Sequence, residues 1–218
     1  IKGIARCHCR RMDRPPALNF LHHIPGRCLV TSVPNCKASS RGEPRSCKRH
    51  QSKDLQQGWL EDLQASGSVG REAWQVQLWL GLFPVNRRQL GRPGLLNASV
   101  STIREHLDGS YGQLLQAMLL DPALQISLSG PANHRRNPNE NLARELLELF
   151  SLGEGNYSET DVKEAARALT GYRMKADGQM ALMPRRHDPG PHTILGRTEA
   201  FDAPSLADWL ADQPSTAR

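Results

Sequence analysis

Cysteine is absent from most of this chain. All five (Cys7, Cys9, Cys28, Cys36, Cys47) lie in the first 50 of its 218 residues. An odd number at irregular spacing is a poor disulfide framework. A C-x-C pair followed by long gaps, even with His8, His22 and His23 nearby, lacks the paired C-x2-C spacing of a structural zinc site. Aromatic residues are scarce, and Phe20 is the only one before Trp59. That argues against a nucleic-acid arm in residues 1–57, because single strands are held largely by stacking on aromatic rings. Long apolar runs are missing too. "WQVQLWLGLF" reaches only about half of the roughly 18 residues that span a bilayer. No Gly-rich phosphate loop ending in Gly-Lys-Ser/Thr, no G-x-S-x-G elbow and no H-E-x-x-H helix occurs, so the compact enzyme signatures are excluded. Dispersed catalytic sets are not.

Acidic residues are nearly missing from the first 50 positions. Eleven Lys/Arg stand there against Asp13 and Glu43, a balance of +9, while the whole chain carries +6. The anionic partners that a basic chain attracts would therefore be a matter for this segment alone. Residues 1–57 are rich in Pro, Arg, Ser and Cys and hold no helical or strand period, so they are expected to be disordered. An abrupt change into organised sequence is also what a mistranslated gene start gives.

What is present begins near Gly58. The chain reads as mainly α, a helical bundle-like domain over 58–218, with helices at 71–83, 99–107, 110–120 and 122–128 and a last one at 205–212. The first is apolar through Trp74, Leu78, Trp79 and Leu82. At the centre stands "NPNENLARELLELFSLGEGNYSETDVKEAARALTG", Asn137–Gly171. It predicts an αα-hairpin of helices 138–153 and 158–170. Asn137 is placed as N-cap, Pro138 as first helical residue, Glu140 in a capping box and Gly153 as C-cap. At about 100° per residue, Leu142, Ala143, Leu146, Leu147, Leu149 and Phe150 share one face. Glu140, Asn141, Arg144, Glu145 and Glu148 share the other. Ser158 caps the second helix, whose apolar face is mostly alanine. After Gly171, "QMALMP" and Thr193–Leu195 suggest a minor β-hairpin near 179–196.

Two readings of the polar face stay open. Glu140–Arg144 and Arg144–Glu148 are i,i+4 ion pairs of a solvated helix. Alternatively Asn139, Glu140, Asn141, Arg144, Glu145 and Glu148 form a site. Glu145 and Glu148 would then join His187, Asp188 and His192 around a divalent metal, as in a hydrolase-like enzyme. Arg185 and Arg186 are candidates for phosphate.

The Asn137–Tyr172 stretch resembles the signature of the bacterial family called domain of unknown function 1800. "RRHDPGPHTILGRTEAFD" is similar to the segment that follows in it. The likeness is strong over 110–218, weaker from 58, and does not include 1–57. It implies a mostly helical protein of about twice this length, so 58–218 is expected to be a C-terminally truncated piece. It implies export to the bacterial periplasm or envelope in the full-length parent. A partner from the domain of unknown function 1501 family, often encoded beside it, is implied as well. It brings no established activity. One departure is visible: many members carry a Trp-His-x-His-Phe segment where this chain has "LWLGLFPV", Trp79 to Val85.

Overall fold

The fold is described from a computed structural model, for residues 67–90 and 93–216 together with Gln57, Gly58, Leu60, Glu61, Leu63 and Gln64. The disorder, cysteine, zinc and nucleic-acid readings of the first 56 residues lie outside the described residues. The architecture is mainly α with two small antiparallel hairpins. In chain order come α1 (Ser68–Leu82), α2 (Arg87–Leu90), α3 (Pro93–Glu105), α4 (Tyr111–Leu119) and α5 (Pro122–Ser127). A 3-10 turn at Gly130–Ala132 precedes α6 (Asn141–Glu148) and α7 (Glu159–Ala168). Then follow β1 (Tyr172–Met174), β2 (Met180–Leu182), β3 (His192–Ile194), β4 (Arg197–Glu199) and α8 (Ala203–Ala211).

Most of these helices start where a side chain can satisfy the free N–H groups of a first turn. Ser110 and Gln113 form a capping box on α4, Ser158 and Asp161 one on α7, and Asp202 and Ser205 one on α8. Asp121 caps α5 ahead of Pro122. It also accepts from Ser99 Oγ at 2.8 Å, and burial pushes its carboxyl above the ordinary value. α1 stops at Phe83, just before Pro84, as the steric restriction on a residue preceding proline requires.

The core lies between α4, α6, α7 and α8, with Leu115, Met118, Leu146, Leu169, Leu206 and Leu210 fully buried. α4 meets α8 at Gly112, where a Cβ would stand 3.1 Å from Ala211 Cβ. Aromatic rings tie the end of α1 into this core. Trp79 stacks on Tyr111 at 5.6 Å, Phe83 meets Phe150 at 5.1 Å, and the Tyr111 hydroxyl donates to the Phe150 carbonyl.

The central αα-hairpin is present, and it corrects its expected details. Asn137 is not the N-cap; it pairs with His134 in an isolated bridge. Asn139 Oδ1 instead accepts from Asn141 N at 3.0 Å, an Asx turn that opens the helix three residues later than expected. Leu149, assigned to the apolar face, is 50% exposed. The helix loosens there: Phe150 N donates to Glu145 O and Leu152 N to Leu147 O, both five residues back, so the 100° step no longer applies. On α1, Trp74 and Leu78 are exposed at 62% and 68%, because the small residues Gly70, Ala73 and Val76 make the buried contact.

The two strands expected near 179–196 exist but do not pair with each other. β2 pairs with β1 and β3 with β4. Each uses the nearest tight turn. Leu195 (φ 50°) and Gly196 (φ 77°) close the second hairpin as a two-residue turn of the type that matches strand twist.

Candidate functional site

The polar face of α6 is held by partners from outside its own helix. Arg144 reaches Glu159, the first residue of α7, with two hydrogen bonds of 2.9 Å. It also reaches Glu140 at 3.3 Å. The expected Arg144–Glu148 pair does not form; Glu148 accepts from Tyr157 Oη at 3.1 Å. These bonds and charges raise the Arg144 pKa and lower that of Glu159. Asn141 is exposed and Glu145 partly exposed. Glu148 also lines an open groove of about 790 Å3 with Trp79, Leu82, Tyr111, Leu152 and Thr216. The Trp-His-x-His-Phe pattern, set on Trp79 and Phe83, puts its histidines at Leu80 and Leu82. The second of these is part of that groove wall.

A second cluster sits at the C-terminal end of α7. Arg167 donates Nε to Asp188 at 2.8 Å and Nη1 to Glu164 at 2.7 Å. Asp188 also accepts from Gly190 N at 3.0 Å, and its own N–H donates to Thr170 Oγ1 at 2.8 Å. Burial alone would raise the Asp188 carboxyl, but Arg167 and the Gly190 N–H outweigh it and hold the pKa below the ordinary value. His187 Nδ1 lies 3.0 Å from the Thr170 carbonyl, so that nitrogen carries the proton. His187 is set there by Gly171 (φ 89°), whose missing Cβ would stand 2.7 Å from His187 N. His192, in β3, is fully buried, and neither ring nitrogen has a hydrogen-bond partner. Burial, then the Arg167 charge, lowers its pKa; Asp188 and Glu164 oppose them in part.

His187, Asp188 and His192 thus come together beside Arg167. Glu145 and Glu148 belong to a different neighbourhood, on α6 and its groove. Among the described residues no three His, Cys, Asp or Glu side chains gather as a metal ion needs. Sequence reasoning passed over Asn133, in a stretch taken as polar loop. It is buried, donates Nδ2 to Ala166 O at 2.8 Å and accepts from Asn139 N at 2.9 Å. Its carbonyl accepts from Gly171 N at 3.2 Å. Asp161 was read only as a cap, yet its Oδ1 accepts from Leu195 N at 2.8 Å, fastening the β3–β4 turn to α7.

The chain belongs to the family described as "Protein of unknown function (DUF1800)", whose family model matches residues 10–218. The match therefore takes in most of the segment that had been set outside the resemblance. No curated protein and no solved structure matches the chain. No described helix is long and apolar enough to cross a membrane.

Proposed function

We propose that this chain is a non-catalytic, partner-binding component of an exported or envelope-associated bacterial assembly. Its partner in this reading is a protein of the domain of unknown function 1501 family. The observation that carries the reading is the outer face of α1. Trp74 and Leu78 stand one turn apart, 62% and 68% exposed, on the side of the helix away from Ala73 and Val76. A tryptophan and a leucine left open together are the kind of anchor that partner surfaces bury. The charged residues of the family signature support the reading, since Arg144 and Glu148 are engaged by Glu140, Glu159 and Tyr157 within the fold. The groove beside Glu148 presents Leu82 at a position where the family pattern has histidine.

The test is co-purification of the full chain with a partner of that family encoded beside it. Trp74→Ala with Leu78→Ala is expected to abolish retention of the partner and leave the far-UV circular dichroism unchanged. Retention equal to that of the parent chain would refute the reading. So would substrate turnover by the protein alone that Glu145→Gln abolishes.

A further inference from the structure

Two runs mirror each other in the sequence: His134-Arg135-Arg136 and Arg185-Arg186-His187. The fold sets them side by side, with Arg135 N–H donating to the Arg186 carbonyl at 2.9 Å. Both runs are fixed at their roots. Arg136 N donates to His134 Nδ1 at 3.0 Å, and Asn137 N to His134 O at 2.7 Å. Arg186 N donates to Met183 O at 2.8 Å.

Arg144 and Arg167 are each held by two carboxylates. Arg135, Arg136, Arg185 and Arg186 make no ion pair with any carboxylate among the described residues. The Nε of Arg186 is buried without a hydrogen-bond partner. A guanidinium N–H shielded from water with nothing to donate to costs free energy until an acceptor arrives. His134 reports the same field. Partial burial and then the charges of Arg186, Arg136 and Arg135 lower its pKa, and no carboxylate opposes them.

We infer that Arg135, Arg136, Arg185 and Arg186 form a binding site for a ligand that carries clustered phosphate groups. Four like charges on two joined turns repel one another, and a multiply charged anion relieves that repulsion more than a single carboxylate does. All four are arginine, whose planar fork pairs two N–H groups with two phosphate oxygens. A nucleic-acid strand is disfavoured, because Trp74, on α1, is the only strongly exposed aromatic side chain among the described residues. The phosphates come either from a soluble polyphosphate compound or from an anionic phospholipid headgroup.

The full chain is titrated calorimetrically with pyrophosphate at low salt. It is also floated with phosphatidylcholine vesicles that contain or lack phosphatidic acid. Binding to at least one probe is expected, weakening as salt is raised. Arg135→Gln with Arg186→Gln should weaken it by about tenfold or more. So should Arg136→Gln with Arg185→Gln, two exposed side chains whose loss leaves the fold intact. Arg71→Gln, on α1, should change nothing. Pyrophosphate binding without flotation assigns a soluble ligand; flotation that needs phosphatidic acid assigns a headgroup. Absence of binding to both probes, or an equal loss with Arg71→Gln, would overturn the inference.

Discussion

Single side chains decide how the loops of this fold are held. Asn133 satisfies a helix carbonyl and a loop N–H from a buried position. Asn133→Ala strands both, so urea unfolding should show a loss of about 1–3 kcal/mol. His192 has the opposite character, a buried polar ring with no partner. Its folded pKa lies below the ordinary 6.5, so the unfolded chain takes up the proton first. Its share of stability is complete above that pH and drains away as pH falls through 6.5 toward the folded value. Asp188 and Asp161, held below 3.8, add their losses only in more acid solution. The thermal midpoint should therefore drop between about pH 6.5 and 5, and His192→Leu should flatten that slope without lowering stability at pH 8. Neither residue announced itself in the sequence. An asparagine between Ala132 and His134 looks like turn chemistry, and only the approach of α7 makes it interior.

At the scale of elements, the α6–α7 hairpin was the most legible part, because a strong amphipathic period and a capped second helix are local properties. What that period missed was tertiary. Arg144 was paired within its own helix, whereas its better partner, Glu159, lies across the interhelical loop. The pair is exposed, at 38% and 69%, so a double-mutant cycle on Arg144→Ala and Glu159→Ala should return less than about 1 kcal/mol. Gly171 is the costly position. A Cβ there meets the His187 backbone at a φ of 89°, so Gly171→Ala should destabilise by about 2 kcal/mol or more in the same unfolding assay. Three-residue strands carry almost no alternation, which is why both were located but their pairing was not. The metal set failed to assemble for a related reason: sequence spacing says nothing about which face of α7 a distant loop will meet.

For the molecule as a whole, the helical class followed from the sequence, but the division of α1 into core and outer face did not. Large apolar residues were assumed to be core, while Ala73, Val76 and Phe83 took that role. The candidate site was half visible: its signature residues were named, yet the arginine pairs join only through contacts made after folding. One helix gathers many of those contacts. α7 is bound near its start by Arg144 and the Leu195 N–H, and near its end by Asn133 and Asp188. These four ties come from both sides of the exposed Glu154–Asn156 segment in sequence. A protease that nicks the chain at that segment would therefore leave two fragments still clasped together. They should elute as one body on size exclusion, run as two bands in denaturing gel electrophoresis, and part in solution only when the core itself melts.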